Sequence, residues 1–421
     1  MKMADVGIVM PVYKQDLNYL ELALNSVLKQ NYSSFHFVVV SDGAPPEVNN
    51  KIEELISGDN RVHFIIKEKN EGVSKALNTG FNFLMKSAGI DYLTWVSSDN
   101  IYFPNFIEKL REALVNGPDE IGLVYSSFRH VDHDGNHILN EDLLAFRKFQ
   151  EKPKESLLDL CYIGTSFMYK EKYASKIDGY LMEPVEDYEY WLRLTDHCDI
   201  KYVPIELMDY RVASPHSISA QLQSSVHQHR RWRYAFNLAK QQTRNRRDIP
   251  FEVTIIFPIE QLSEVTISQY EHLLNQSYSN YKLLIIDLSS RAKASQLLKQ
   301  ISDPRVAFFE LPNKNIADAI KLGIEWADTP YTLLFKELCL PEALDSLALL
   351  VDIHYKLTKE LQHNEVASTF FIDKFPQIKS IKTFETNAGF IGFSKTNNQL
   401  NIISNQLYKT RFLRRLNTKS K

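Results

Sequence analysis

The chain has 421 residues, 44% of them hydrophobic and 24% charged, with a formal net charge of −3. This composition is typical of soluble globular proteins, and the length predicts two domains because one core seldom supports so long a chain. The small negative charge argues against bulk nucleic-acid binding. Three widely spaced cysteines fit neither a disulfide framework nor a cysteine-rich metal site, so a reducing cytoplasm is the simplest location.

The charged residues are unevenly distributed. The first apolar run, residues 6–12, is too short for a signal peptide or a membrane span. After Glu385 the chain contains no further acid, and a second basic stretch, HQHRRWRYAFNLAKQQTRNRR, covers 227–247. Each basic segment is either a solvated helix face or a contact for anionic lipids, which would make the protein peripheral at the inner face of the membrane.

Strand and helix signals alternate through the first half of the chain. Apolar runs predict strands at 6–12, 37–40, 62–66 and 92–96. Apolar residues at helical spacing follow the first three, at 20–28, 48–56 and 76–84. This alternation predicts βαβ units and a parallel sheet buried on both faces. Ligands of such sheets bind outside the carboxyl ends of the strands, which is where Asp42 and Asp99 lie.

The second half of the chain repeats the first. LKQNYSSFHFVVVSD at 28–42 aligns with LNQSYSNYKLLIIDL at 274–288. Further matches are Pro11 with Pro258, Gly80 with Gly323, Tyr92 with Tyr331 and Pro104 with Pro341. Where the first copy has VSSDN, the second has LFKELCLP, in which Glu337 is the sole acid. We therefore expect a duplicated α/β unit whose second copy is truncated and inactive.

Five elements occur in the order of a known family. They are VMPVY at 9–13, SDG at 41–43, NEGVSKALNTG at 70–80, SSDN at 97–100 and VEDYEYWLRL at 185–194, followed by YRVASPHSIS at 210–219. Together they resemble the family 2 glycosyltransferases with the GT-A fold over about residues 5–220. The resemblance implies an α/β, Rossmann-like, mostly parallel sheet sandwiched by helices.

The predicted organisation follows from the repeat and the resemblance. It is a catalytic GT-A domain at 1–224, a basic helical linker at 225–250, a degenerate GT-A-like domain at 251–405 and a basic tail at 406–421.

The resemblance implies a nucleotide-sugar donor. Asp42 looks like the family's base-contacting acid, although a Ser-Asp-Gly turn would also explain it. Gly72 permits close backbone approach, Ser74 could cap the following helix, and Lys75 either reaches a phosphate or is a solvated lysine. The donor-binding candidates are Pro11, Val12, Tyr13, Asp42, Asn70, Gly72, Lys75, Ser98 and Asp99.

Asp99 corresponds to the last acid of the family's Asp-x-Asp motif, which binds Mn²⁺ or Mg²⁺. Hard divalent cations take oxygen ligands, and magnesium usually needs only one or two carboxylates besides phosphate oxygens. Ser97 replaces the first acid here, so one carboxylate remains, and His216 is a candidate second ligand. The alternative role for Asp99 is a turn after the strand.

Glu186 and Asp187 open a predicted helix, where acids also complement the helix dipole. The family places its general base in this pair, so we predict Asp187 as the base and Glu186 as the residue that orients it or the acceptor. Trp191 and Tyr190 either stack on an acceptor sugar or belong to the core. Arg211 is a candidate acceptor contact or a structural charge partner.

The predicted function is that of a metal-dependent inverting hexosyltransferase. It would move a sugar from a nucleotide-diphospho-sugar, UDP-linked in this prediction, to a glycan or lipid-linked acceptor in surface polysaccharide synthesis. The alternatives are a nucleotidyltransferase and a non-catalytic nucleotide- or glycan-binding module. The second copy leaves a role in homo-oligomerisation open, and no nucleic-acid partner is expected.

Overall fold

The computed structural model describes residues 4–139, 141–212, 225–335, 343–352 and 407–409, with the backbone alone at 141–145 and 407–409. The chain divides into two compact units, unit 1 (Met1–Thr243) and unit 2 (Arg244–Lys421).

Unit 1 alternates strands and helices along its first hundred residues. Its strands are β1 (Val6–Val12), β2 (Phe35–Asp42), β3 (Val62–Lys67), β4 (Tyr92–Trp95), β5 (Ile101–Tyr102), β6 (Ile121–Val131), β7 (His137–Ile138), β8 (Phe167–Lys170) and β9 (Asp199–Arg211). Its helices are α1 (Leu17–Leu28), α2 (Pro46–Ile56), α3 (Val73–Leu84), α4 (Phe106–Val115), α5 (Glu141–Gln150), α6 (Glu171–Ala174), α7 (Glu186–Leu194) and α8 (Val226–Arg246), with a 3₁₀ turn at Lys154–Leu158.

The sheet of unit 1 has the order β3-β2-β1-β4-β8-β6-β9-β5, and β7 pairs with β6. The first four of these strands are parallel, with Val6 opposite both Phe35 and Tyr92. Strand β8 runs antiparallel to β4 and β6. The carboxyl ends of β1, β2, β3 and β4 therefore meet at one edge.

Helices cover both faces of this sheet. Alternate residues of each central strand point to opposite sides, so each strand contributes side chains to both buried faces. Val6, Ile8 and Met10 share a buried cluster with side chains of α1, α2 and α4. On the other face, a β-carbon on Gly80 of α3 would lie 2.5 Å from the Val9 side chain. The glycine lets α3 approach the sheet closely.

Unit 2 contains a smaller sheet of the same kind. Its elements are β10 (Val253–Ile259), α9 (Glu264–Leu274), β11 (Tyr281–Asp287), a 3₁₀ turn (Ser290–Ala292), α10 (Lys293–Leu298), β12 (Val306–Glu310), α11 (Ile316–Trp326), β13 (Tyr331–Leu334) and β14 (Leu407–Lys409), with a helical segment at 346–352. The order is β12-β11-β10-β13-β14, in which the first four strands are parallel and β14 is antiparallel to β13.

One ion pair, partly exposed in unit 1 and buried in unit 2, has the same surroundings in each unit. Arg61 pairs with Asp59, donates to the carbonyl oxygen of the last residue of α1 at 2.9 Å, and lies 4.4 Å from the ring of the first residue of β2. Arg305 pairs with Asp303 and makes the same contacts with the last residue of α9 (2.9 Å) and the first residue of β11 (4.4 Å).

A close helix–sheet approach also recurs. Gly80 faces Val9, the fourth residue of β1, and Gly323 of α11 faces Ile256, the fourth residue of β10. A β-carbon on Gly323 would lie 2.8 Å from the Ile256 side chain. In both units, a helix glycine therefore packs against the side chain of the fourth residue of the first strand.

The predicted α/β class, with a mostly parallel sheet covered by helices, is confirmed. The basic segment predicted as a linker forms helix α8, and its residues up to Thr243 fall within unit 1. Phe236 of this helix stacks on Tyr188 of α7 with 4.2 Å between ring centroids. Among the described residues, no helix is both long enough and apolar enough to cross a membrane.

Candidate active site

The candidate site lies at the edge where the four parallel strands end. Pro11 and Val12 are the last paired residues of β1, opposite Val40 and Ser41, and the exposed Tyr13 follows them. Side chains at strand ends of this kind are the usual ligand contacts of an α/β sheet.

Asp42, the last residue of β2, is buried and fully hydrogen-bonded. Its carboxylate accepts hydrogen bonds from Lys67 Nζ at 2.5 Å, from the Glu71 N–H at 3.1 Å and from the Gly72 N–H at 2.9 Å. Lys67 stands opposite it at the end of β3. In this structure Asp42 therefore holds the loop that leads into α3, and its contact with a nucleotide base stays a prediction.

That loop carries three more donor-binding candidates. Asn70 Nδ2 donates to the Asp42 carbonyl oxygen at 3.2 Å. Lys75 is exposed and lies 3.5 Å from a Glu71 carboxylate oxygen. Gly72, with φ of +98°, is the N-cap of α3, so the cap expected at Ser74 is absent. The side chain of Glu183 instead accepts the Ser74 N–H at 2.8 Å.

The turn after β4 is fixed by its own hydrogen bonds. The Ser97 N–H donates to Tyr102 Oη at 2.7 Å, and Ser98 Oγ accepts from Gln15 Nε2 at 2.9 Å. Asp99 remains partly exposed at the tip of this turn. The turn presents one carboxylate at the edge of the sheet.

Arg211, at the end of β9, stabilises the turn after β4. Its guanidinium donates to the carbonyl oxygens of Asp99 (3.3 Å), Asp132 (2.9 Å) and His133 (2.8 Å) and stacks on the Tyr19 ring. The side chain is buried. These contacts give Arg211 a structural role beneath the site, with its donors directed at main chain, and leave it unsuited to the acceptor contact predicted for it.

The second metal ligand predicted from the sequence, His216, lies outside the described residues. Within the part of the chain that the structure describes, one group of side chains could bring three ligand atoms within 4.8 Å of one another: Asp132, His133 and Asp134. They occupy the turn between β6 and β7, where Asp132 accepts the backbone N–H groups of Asp134 and Asn136. The guanidinium of Arg211 beneath this turn disfavours a cation there.

Glu186 and Asp187 occupy the first turn of α7 and have raised pKa values. Burial, and then the neighbouring charge of Asp187, raise the pKa of Glu186 to about 8. Burial raises the pKa of Asp187 to about 6, and the Tyr188 N–H, 2.6 Å from Asp187 Oδ1, opposes the shift. Glu186 Oε2 has no hydrogen-bond partner among the described residues, whereas Asp187 keeps partial exposure. Both shifts favour the protonated form, so the pair resists carrying two negative charges.

The rest of α7 anchors this pair in the core. Trp191 is fully buried with its ring at 75° to the ring of Phe167, and Tyr190 stacks on Tyr180 with 4.1 Å between ring centroids. Neither ring leaves a face for a sugar, so their arrangement corresponds to the core alternative.

The fold is that of an α/β protein whose parallel strands end at one edge, with two neighbouring carboxyl groups in the first turn of α7. The chain belongs to glycosyl transferase family 2, whose sequence model matches residues 7–178 and 266–335. The predicted GT-A class is therefore confirmed.

Several curated proteins are similar to this chain. An uncharacterized glycosyltransferase of Rickettsia bellii (strain RML369-C) is 25% identical over 371 residues, which is 77% of this chain and 52% of that protein. The O-antigen biosynthesis glycosyltransferase WbnJ of Escherichia coli is 23% identical over 212 residues, 49% of this chain and 79% of that protein. The chain spans between about half and two thirds of the length of the Rickettsia relatives that match most of it.

Solved structures also resemble the chain, at low similarity. The mannosyltransferase PcManGT from Pyrobaculum calidifontis, solved in complex with GDP-Man and Mn²⁺, has 14% identity and a TM-score of 0.42, covering 58% of this chain and 64% of that one. A likeness of this size carries no argument about individual site residues.

Proposed function

We propose that unit 1 transfers a sugar, with inversion, from a nucleotide-diphospho-sugar to a hydroxyl group of a glycan or lipid-linked acceptor. The observation that carries the proposal is the pair of Glu186 and Asp187, two adjacent carboxyl groups whose pKa values burial has raised to different extents. Such a divergence separates an ionised base from a neutral neighbour near pH 7. Family membership supports glycosyl transfer over the nucleotidyltransferase alternative.

Asp187 acts as the general base in this proposal. Ionised at neutral pH and partly exposed, it accepts the proton of the acceptor hydroxyl while that oxygen forms its bond to the anomeric carbon. The bond between the anomeric carbon and the diphosphate oxygen breaks in the same displacement, and the nucleoside diphosphate leaves. Glu186, neutral and buried beside it, keeps a second negative charge away from the departing diphosphate.

The donor would lie across the loops that follow the parallel strands. This edge is lined by Tyr13, exposed after β1, and by the loop at 70–72 that Asp42 holds, together with the start of α3. The relatives' names support a sugar-transfer role, and UDP as the carrier remains part of the proposal. Assignment to surface polysaccharide synthesis rests on the O-antigen role in the name of one relative.

The residues present fit a divalent cation shared with the donor. Asp99 offers a partly exposed carboxylate whose turn is held by Arg211, and oxygen ligands suit Mn²⁺ or Mg²⁺. When bound, such an ion would supply positive charge to the diphosphate oxygens of the leaving group.

Unit 2 is, in this proposal, a degenerate copy of the catalytic unit. The equal strand order, the matched Arg61 and Arg305 contacts and the family match at 266–335 support this. Glu337 lies outside the described residues, and replacing it by alanine should leave turnover unchanged. A large loss of turnover in that variant would contradict an inactive copy.

A donor panel tests the proposed function. Purified protein is incubated with UDP-glucose, UDP-galactose, UDP-N-acetylglucosamine or GDP-mannose, with and without Mn²⁺, and release of the nucleoside diphosphate is followed. Asp187→Asn should abolish turnover and spare donor binding, whereas Asp99→Ala should also weaken Mn²⁺-dependent binding. Absence of turnover together with absence of thermal stabilisation by any nucleotide would favour the non-catalytic module.

A further inference from the structure

The segment that leads into α7, residues 179–185, is attached to α3 at two points. The first is an amide pair, in which Asn78 Nδ2 donates to the Tyr180 carbonyl oxygen at 2.8 Å and the Tyr180 N–H donates to Asn78 Oδ1 at 2.7 Å. The ring of Tyr180 then stacks on Tyr190 of α7, with an interplanar angle of 6°. This attachment connects the middle of α3 to the catalytic helix.

The second attachment is made by Glu183 at the N-terminus of α3. Its Oε1 accepts the Ser74 N–H at 2.8 Å. The carboxylate packs so tightly against Gly72 that a β-carbon there would lie 2.5 Å from Oε1. The first N–H groups of a helix lack intrahelical acceptors and carry partial positive charge, so a carboxylate is stabilised at this place.

Resting on the proposed function, we propose that Glu183 is a positioning residue of this glycosyltransferase. Its carboxylate, bound at the N-terminus of α3, fixes the segment carrying Glu186 and Asp187 against the loop that the donor contacts. Glu183 lies three residues before Glu186 and four residues before Asp187.

The corresponding helix of unit 2 indicates that more than helix capping is involved. Helix α11 has Asn315 as its N-cap, eight residues before Gly323, and the Asn315 side chain accepts the Asp318 N–H at 2.8 Å. In unit 1 the residue eight positions before Gly80 is Gly72, which offers no side-chain acceptor. A local cap contributes about 1 kcal/mol to helix stability. Helix α3 of unit 1 has no such local cap at Gly72. Its Ser74 N–H is bound instead by the carboxylate of Glu183, 109 residues further along the chain.

The consequence is a fixed connection between the donor loop and the catalytic base. Backbone N–H groups of this loop bind Asp42 through Glu71 and Gly72, and Glu183 through Ser74. The loop is therefore held on one side by the sheet and on the other by the segment of Asp187. Displacement of a catalytic group by about 1 Å can cost on the order of 100-fold in rate.

Three substitutions at Glu183 separate the effects of side-chain length, negative charge and hydrogen bonding on turnover. Glu183→Gln keeps an acceptor oxygen at full length, Glu183→Asp keeps the charge on a shorter side chain, and Glu183→Ala removes both. We measure kcat and KM for the UDP-sugar with the highest turnover in the panel above. The expected result is a kcat at least tenfold lower in the Asp and Ala variants, a kcat within threefold of wild type in the Gln variant, and KM within threefold in all.

The matched control is Glu47→Ala, which removes an exposed carboxylate from the first turn of α2. It should leave kcat unchanged. Circular dichroism melting of every variant gives the folded fraction, and rates are compared at a temperature where all are folded.

Two results would overturn the proposal and leave the proposed function intact. One is a kcat within threefold of wild type in both the Asp and the Ala variants while Asp187→Asn is inactive. The other is a loss in the Gln variant with full activity in the Asp variant, since that pattern assigns the effect to charge alone. Full activity of Asp187→Asn would instead contradict the proposed function itself.

Discussion

At the residue scale, the acidic pair in the first turn of α7 carries the proposed chemistry. Glu186 is buried with one carboxyl oxygen unpartnered among the described residues, and Asp187 is partly exposed with a Tyr188 N–H on its carboxylate. Burial raises the pKa of both carboxyl groups, and the neighbouring charge of Asp187 raises the pKa of Glu186 further.

The pair predicts a bell-shaped dependence of kcat on pH. Turnover should rise with pH through about 6, because Asp187 must lose its proton to accept one from the acceptor. It should fall through about 8, where Glu186 ionises and places a second negative charge beside the base. Rates of nucleoside diphosphate release between pH 5 and 9.5 test this. In Glu186→Gln, the decrease of kcat above pH 8 should disappear and the increase through pH 6 should remain. A rate independent of pH from 5 to 7 would exclude Asp187 as the base.

The same pair should make the fold less stable as pH rises. Glu186 has a folded-state pKa of about 8, raised from 4.5, so between these values the folded protein binds more protons than the unfolded chain. Stability is then full below about pH 4.5 and lost as pH rises towards 8. Glu186→Gln, which cannot ionise, should be more stable than wild type by on the order of 2 kcal/mol at pH 8.5 and by little at pH 5.

Thermal melting at the two pH values measures this difference. Glu53→Gln, at an exposed position of α2, is the control for replacing a glutamate in general. Equal melting shifts in both variants at both pH values would show that burial of Glu186 does not disfavour its charge.

At the scale of elements, an aromatic stack joins α8 to α7 within unit 1. Phe236 lies between Tyr188, 4.2 Å away, and Trp232, 5.0 Å away, measured between ring centroids. The buried Lys240, one turn further, donates to the Asp159 carbonyl oxygen at 3.0 Å. The helix thereby packs against the residue that follows Asp187.

Phe236→Ala should weaken this support. We expect a loss of about 2 kcal/mol in unfolding free energy, from lost burial and stacking, together with a lower kcat because Tyr188 is no longer held. Urea unfolding and the turnover assay measure the two effects. Tyr234→Ala removes an exposed aromatic ring from the same helix and should change neither. Equal effects of the two substitutions would contradict a specific role for the stack.

The elements themselves were largely predictable from the sequence. The strand predicted at 6–12 has those bounds in the structure, because an apolar β-prone run flanked by polar residues leaves little choice. The helical stripes mark only the buried face, so α1 begins earlier than its stripe, at Leu17, where the Asp16 side chain accepts two backbone N–H groups. Such a cap lies outside any periodic pattern.

The contacts that hold the site were not predictable in the same way. Glu183 meets Ser74 across 109 residues, and no periodicity or motif links them. The sequence gives only a weak indication that Lys67 is the partner of Asp42, namely that Lys67 comes at the end of the following strand. The register of β2 and β3 is needed to place the two residues opposite each other. Family motifs identify residues that act on substrate, whereas positioning contacts depend on the path of each particular chain.

At the scale of the whole molecule, the second strand of each unit ends with an acid, and the two acids have different surroundings. Asp42 receives Lys67 and the donor loop. Asp287, at the end of β11, is fully buried and accepts the Ser289 N–H at 2.9 Å and the Ser295 N–H at 2.6 Å. The second acid therefore serves its own turn and helix, in a closed environment.

Paired alanine substitutions should separate the two acids. Asp42→Ala releases the backbone at Glu71 and Gly72 and should reduce the thermal stabilisation given by UDP. Asp287→Ala should lower the melting temperature without altering that stabilisation, because its partners are structural. A reduced effect of UDP in the Asp287 variant would contradict the proposal that unit 2 takes no part in donor binding.

The strand registers show that the two acids are not equivalent positions. Val12 and Ile259, the last residues of β1 and β10, stand opposite Ser41 and Asp287, so Asp287 corresponds to Ser41 and not to Asp42. Ser41 Oγ donates to Asn49 Oδ1 of α2 at 2.7 Å, and Asp287 accepts the Ser295 N–H of α10, so each faces the helix that follows its own strand. Asp42, one residue further, points to the other side of its strand and meets the loop before α3. A displacement of one residue along a strand therefore gives an acid a different helix to stabilise.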